Sequence, residues 1–210
     1  MNLLAIGNSP KLIQFVQSIF PVERTQIIAW RSLPIDSCQT KAVHEVRWDI
    51  ILIAGYDYAS AGYRYEQYLA KNVDRVMDIV QSSISQDSRV IYINTLSPKK
   101  QATYSRYLYA KMLLGLKLVT TFPNVDLLEF PTIEDCDSGQ PSISGGMLSV
   151  LAFRVLRFFG FLSTVMINNS QSENRSLFDA LKRQPSLPSP RFLEIPRSLM
   201  IDRLLRLIIG

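Results

Sequence analysis

Asp49-Ile50-Ile51-Leu52-Ile53-Ala54-Gly55 is an unbroken apolar run set between an acidic residue and a glycine. A strand with one wet face would carry a polar residue at every second position, whereas here both phases are apolar, so both faces are covered. Such a strand belongs at the centre of a parallel sheet with helices above and below it. Upstream, Leu3–Ile6 is a similar short run that ends at Gly7. Leu12, Ile13, Phe15, Val16 and Ile19 then recur at helical spacing across Lys11–Phe20, giving a strand, a turn and a helix. Gln26–Trp30 reads as a second strand and Glu45–Arg47 as a brief third, which makes Asp49–Gly55 the fourth.

Downstream the alternation continues. Leu69, Val73, Val76, Ile79 and Val80 mark a helix within Tyr65–Ser83, Arg89–Ile93 a strand, Tyr104–Leu116 a helix and Val125–Phe130 a last strand. Five or six strands joined by helical crossovers make a doubly wound α/β sheet, whose ligands bind at the carboxyl ends of the strands. The places to search are therefore Gly7, Ala54–Tyr58 and Asn94–Ser97. Beyond Pro131 comes an acidic, turn-rich loop, then the long apolar stretch Gly145–Ile167. Arg154 and Arg157 near its middle would each cost about 2.5–3.5 kcal/mol in a bilayer, so it is expected to be a packed amphipathic helix rather than a membrane span. Gln184–Pro196 holds four prolines and reads as a surface crossing before a final helix at Ser198–Ile209.

The chain has 210 residues, 47% apolar and 20% charged. That is enough to bury roughly 70% of the unfolded surface in one core, which excludes disordered and fibrous classes. Cys38 and Cys136 have no CxxC or CxxxC neighbour, which argues against a disulfide scaffold or a cysteine-rich zinc site and fits a reducing compartment. A single histidine, His44, argues against a Ser/His/Asp triad or a histidine-rich metal cluster, and no metal is expected. Residues 1–140 balance 14 basic against 14 acidic side chains, while residues 141–210 carry 9 against 4. The excess of +5 is thus confined to the last third, a poor fit to a nucleic-acid-binding face. The first residues lack the basic flank and long apolar run of a signal peptide, so a cytoplasmic protein is expected. The last helix sets Leu199, Met200, Leu204, Leu205, Leu207, Ile208 and Ile209 against Arg197, Arg203 and Arg206. It is expected to dock on the core or on another subunit, as in a homodimer, in preference to a membrane.

Tyr107 and Lys111 stand four apart, so the expected helix carries phenol and ammonium on one face, a turn apart. An unperturbed tyrosine, with a pKa of about 10, is a weak base at neutral pH; a neighbouring cation stabilises tyrosinate and makes it a usable proton donor and acceptor. With nine tyrosines in the chain, such a pair also arises by chance, and context must decide. Ser9 and Pro10 read first as a plain N-cap followed by proline at the first helical position, the alternative being an anion site at a helix N-terminus with Asn8, Ser9 and Lys11 as contacts.

In its order of elements, its first turn at Gly7, the Asp49–Gly55 strand, the Asn72-Val73 pair, the Arg89–Ile93 strand with hydroxyl residues after it, and the YxxxK helix, the chain resembles the short-chain dehydrogenase/reductases over about residues 2–131. The extended, nucleotide-sugar epimerase-like branch is the most similar. The resemblance implies a Rossmann-like dinucleotide-binding domain over 1–133 and a reduced, mainly helical C-terminal substrate region over 134–210 packed on it. It implies Tyr107 as acid/base, Lys111 as ligand of the nicotinamide ribose, and Thr95, or Ser97 in its place, as the group that orients the substrate. Gly7, Asn8, Ser9, Lys11, Arg31, Ala54, Gly55 and Lys111 would line the cofactor. Arg31 stands where an acidic residue would hold a ribose 2′-hydroxyl, which favours NADP over NAD. The expected ligand is a small molecule, a nucleotide sugar being the class the resemblance suggests. Either arginine of the 145–167 stretch would be placed to grip a substrate phosphate.

The sequence departs from the family pattern at the glycine-rich loop, where Pro10 and Ile13 replace the second and third glycines of GxxGxxG. Those glycines admit the pyrophosphate and seat the helix on the strand. The alternative expectation is accordingly a non-catalytic binding or regulatory protein of the same fold that has lost the cofactor.

Overall fold

The structure, a computed structural model, describes residues 1–30, 46–55, 65–95, 106–134, 164–167 and 170–183. Five strands, β1 (Asn2–Ile6), β2 (Arg24–Ile28), β3 (Ile50–Ile53), β4 (Arg89–Thr95) and β5 (Val125–Phe130), form one all-parallel sheet in the order β2-β1-β3-β4-β5. The chain crosses from β1 outward to β2 by way of α1 (Pro10–Ile19). It returns to β3 on the other side of β1 and then runs outward to β5. Between β3 and β4 lie α2 (Tyr65–Leu69), a π-helical turn (Ala70–Asp74) and α3 (Arg75–Ser83), and between β4 and β5 lies α4 (Arg106–Thr121). The order therefore reverses between β1 and β3, and the architecture is the expected doubly wound, Rossmann-like α/β sheet.

The continuous apolar strands are explained by two cores, one on each face. Leu4, Ile6, Ile51, Ile53, Val90, Tyr92 and Leu127 meet the helices between β3 and β5 through Tyr68, Val76, Val80, Ala110, Leu114 and Leu118. The other phase, Leu3, Ala5, Ile50, Leu52, Ile91, Ile93, Leu128 and Phe130, meets α1 and the helix α5 (Gln171–Leu181) through Phe15, Val16, Phe178 and Leu181. Each fully buried large aliphatic or phenyl group contributes about 1.5–3 kcal/mol, so neither phase of Ile50–Ile53 tolerates a polar residue.

Several boundaries differ from those expected. The second strand is Arg24–Ile28, because its register starts at Asn2↔Arg24; Trp30 lies past its end and buries its indole. The brief third strand does not form at Val46 and Arg47, Glu45 lying outside the described residues. Arg47 instead turns outward to Asp87 at 2.5 Å. β4 runs two residues further than expected, paired with β5 to Thr95↔Phe130, and α4 continues to Thr121 because Leu118 still faces the core. The helix between β3 and β4 is interrupted by the π turn, in which the Asn72 amide donates to the Tyr68 carbonyl at 3.0 Å.

The expected helix over Gly145–Ile167 is corrected at its end: Thr164–Met166 is a strand, β7, paired in parallel with β6 (Thr132–Glu134). The threonine and valine of this segment suit an extended backbone, and Val165 and Ile167 pack on the α1 side of the core. Helix α5 has no counterpart among the sequence expectations. Its signal is the Asn174, Phe178, Leu181 stripe, three buried positions in a mostly polar segment. It packs on α1, with Phe178 stacked 6.4 Å from Phe15 and the Asn174 amide donating to the Ser18 hydroxyl at 2.8 Å.

Candidate functional site

The point of strand reversal is built by two glycines. Gly7 follows β1 with φ of 113°, a left-handed conformation natural to glycine, and its N–H donates to the Ile28 carbonyl at 2.8 Å. A Cβ at Gly7 would stand 2.4 Å from the Ala54 carbonyl oxygen, and one at Gly55 would stand 2.9 Å from the Gly7 Cα and 3.0 Å from the Trp30 ring. The ends of β1 and β3 can approach this closely only because neither position carries a side chain. Ala54 is buried just beside them, its N–H bonded to the Ile6 carbonyl at 2.9 Å.

Helix α1 begins directly after this turn. Ser9 has the extended N-cap backbone, φ −120° and ψ 92°, and Pro10 occupies the first turn; the Ser9 carbonyl accepts from the Ile13 N–H at 3.0 Å, and the Ser9 hydroxyl makes no cap bond. The backbone thus follows the plain capping reading. Asn8 is exposed, while Ser9 and Lys11 are half-buried. Ile13, in place of the third glycine, is buried between α1 and the sheet with Leu3 and Ala5 in the same cluster.

On the far side of β3, β4 ends at Thr95, opposite Phe130. Tyr107 and Lys111 lie in the first turns of α4. Lys111 is 7% exposed, and its Nζ donates to the Ile93 carbonyl at 2.9 Å. Ile93 lies one residue past Ile53↔Tyr92, the last pair β4 makes with β3, so the ammonium ties α4 to the carboxyl end of the sheet. Burial lowers the Lys111 pKa to about 8, because removal from water penalises the charged form.

The ring of Tyr92 lies under this ammonium, 5.5 Å from Nζ to centroid, and the Tyr92 hydroxyl donates to the Lys111 backbone carbonyl at 2.9 Å. Burial pushes the Tyr92 phenol well above its ordinary range, so it stays a protonated donor. Tyr92 escaped the sequence reading. The signal for it is a tyrosine among the aliphatic residues Val90, Ile91 and Ile93 of an interior strand, whose hydroxyl must find a partner inside the core.

The fold thus brings Gly7, Ala54 and Gly55 together at one point and sets Lys111 at the end of the next strand. Arg31, Ser97, Arg154, Arg157 and the expected final helix lie outside the described residues. Among the described residues there is no cluster of three or more His, Cys, Asp and Glu side chains suited to a metal, and no helix long and apolar enough to cross a membrane.

Solved structures share this fold. An ADP-L-glycero-D-manno-heptose-6-epimerase from Helicobacter pylori superposes with a TM-score of 0.56 over 87% of this chain and 74% of the epimerase, at 13% identity. A dTDP-4-dehydrorhamnose reductase from Bacillus anthracis, in complex with NADP, gives 0.51 over 94% of this chain and 87% of the reductase, at 11% identity. A GDP-L-fucose synthetase from Naegleria fowleri bound to NADP gives 0.51 over 87% and 69%, at 10% identity. No family model matches the sequence, and no curated protein matches it.

Proposed function

We propose that this protein is a divergent NAD(P)-dependent oxidoreductase or epimerase-like enzyme acting on a small molecule, a nucleotide-linked sugar being the favoured class. The observation that carries this reading is the seat of Lys111. Its buried amine, bonded to the Ile93 carbonyl, fastens the YxxxK helix to the carboxyl end of the sheet, where doubly wound folds bind their ligands. The solved structures of the same fold support it, two of them holding NADP.

The residues fit a dinucleotide in two places. Gly7 keeps the left-handed turn that leads into a helix N-terminus, a setting suited to a pyrophosphate flanked by Asn8, Ser9 and Lys11, and Lys111 suits the ribose of the nicotinamide. A bound nicotinamide supplies or accepts the hydride. Tyr107 then gives its phenolic proton to the substrate carbonyl oxygen on reduction and takes it back on oxidation. The Lys111 charge favours the tyrosinate form, and Thr95 or Ser97 orients the reacting oxygen. Arg31 favours NADP. The same reading makes the protein cytoplasmic, without a nucleic-acid partner, and leaves the final helix for a homodimer contact.

Titration with NADPH and NADH, followed by nucleotide fluorescence and thermal stabilisation, tests this reading. Saturable binding, tighter for NADPH, supports it, and Tyr107→Phe should then abolish turnover while sparing cofactor affinity. No binding at millimolar nucleotide favours the second reading, a non-catalytic protein of this fold. That reading draws on Pro10, which removes an N–H from the helix N-terminus, and on Ile13, whose buried bulk replaces a packing glycine.

A further inference from the structure

We infer that Tyr92 is the positioning residue of the candidate site, holding Lys111 at both ends: its hydroxyl donates to the Lys111 carbonyl at 2.9 Å and its ring lies 5.5 Å from Nζ. This deepens the reading given above, since it rests on Lys111 as the ribose ligand.

A lysine side chain has four rotatable carbons and loses considerable rotamer freedom when fixed, so an amine that must meet a ribose at one point needs more than one restraint. Three act here. The Tyr92 hydroxyl pins the backbone from which the side chain departs, the Ile93 carbonyl takes the amine, and the face of the Tyr92 ring lies against the cation. All three restraints come from Tyr92 and Ile93 of β4, so they tie α4 to the end of that strand. Gly115, one turn beyond Lys111, completes the device. A Cβ there would meet Tyr92 Cε1 at 3.2 Å, so the missing side chain is what lets the ring slide beneath the helix. Tyr92 is 1% exposed, which leaves its effect on a ligand to pass through Lys111.

The test is the ¹H–¹⁵N spectrum of the lysine ammonium groups in the full chain, with the Lys111 signal assigned by its loss in Lys111→Met. In the wild type this signal should lie upfield of the exposed lysines, shifted by the Tyr92 ring. Tyr92→Phe, which keeps the ring, should retain that shift and weaken NADPH binding about threefold through the lost hydrogen bond. Tyr92→Met, of similar bulk without a ring, should move the signal to the exposed-lysine region and weaken NADPH about tenfold. Thermal melts establish that each variant is folded, and a merely structural role would change those melts without moving the ammonium signal. An unshifted wild-type signal overturns the inference without any variant, and so does a folded Tyr92→Met protein that keeps the wild-type signal. If the signals move as expected while the wild type binds no NADPH, the hold of Tyr92 on Lys111 is upheld and the cofactor reading is overturned.

Discussion

Gly7 and Gly55 lie back to back at the carboxyl ends of β1 and β3: a Cβ placed on Gly55 would come 2.9 Å from the Gly7 Cα. The strand order reverses between these two strands, the point at which doubly wound sheets bind their ligands. Gly7→Ala would force a Cβ to within 2.4 Å of the Ala54 carbonyl oxygen at a φ of 113°. Both obstacles are backbone and cannot rotate away. A loss of about 3 kcal/mol or more is expected in urea denaturation, and a loss within about 0.5 kcal/mol would show that the strand ends are not packed this way.

Lys111 makes stability depend on alkaline pH. Its pKa is lowered to about 8 in the folded protein from the ordinary 10.5, so between those values the unfolded chain binds more protons than the folded one. Stability therefore rises with pH across that window, and the gain is lost as pH falls through about 8. At its limit the gain is about 3 kcal/mol. The check is the stability of the wild type minus that of Lys111→Met measured from pH 7 to 10, which cancels the other titrating groups; a flat difference would contradict the buried amine.

Gly115 sits inside α4, where alanine would ordinarily stabilise by about 1 kcal/mol. Here the added methyl would meet Leu127 Cδ1 at 2.9 Å and Tyr92 Cε1 at 3.2 Å. Gly115→Ala should therefore lose about 1 kcal/mol instead of gaining it, as read by thermal melting. A stabilised variant would show that helix and sheet have room to spare.

Asp126 joins the far end of β4 and β5 to α5. It is paired with Arg89 and lies 3.4 Å from Lys182, while the Arg89 guanidinium lies 5.1 Å from the Phe20 ring centroid and 5.3 Å from that of Phe178. Asp126→Asn should cost about 1–3 kcal/mol and speed amide hydrogen exchange in α5 before it does so in β1. Equal exchange in both elements would mean that α5 is held by Phe178 and Leu181 alone.

The central strand was legible because its signal is local. Ile50–Ile53 is apolar in both phases, and only a strand buried on both faces uses such a run. The Tyr107/Lys111 spacing placed both residues on one helix for the same reason. The phase of β2 was less legible, since Arg24–Ile28 lies at the edge of the described sheet with weak alternation, and its limits come from register with β1. Strand β7 is three residues at the end of a long apolar stretch and helix α5 is mostly polar, so their local signals are faint until partners are present. At the candidate site, Lys111 was named from its spacing, but nothing nearby in sequence marks Tyr92, 19 residues away, as its partner.

By itself, then, the sequence determined the layers of the protein and the glycine at its first turn, because burial on two faces and freedom of φ are written in single residues and short periods. The tertiary structure alone decided which residues meet. It set Gly55 against Gly7, laid the Tyr92 ring beneath Lys111, and docked Asn174 on Ser18 across 156 residues. Such contacts depend on register and helix approach, which are fixed only when the two cores pack, and packing is a property of the whole chain rather than of any one segment of it.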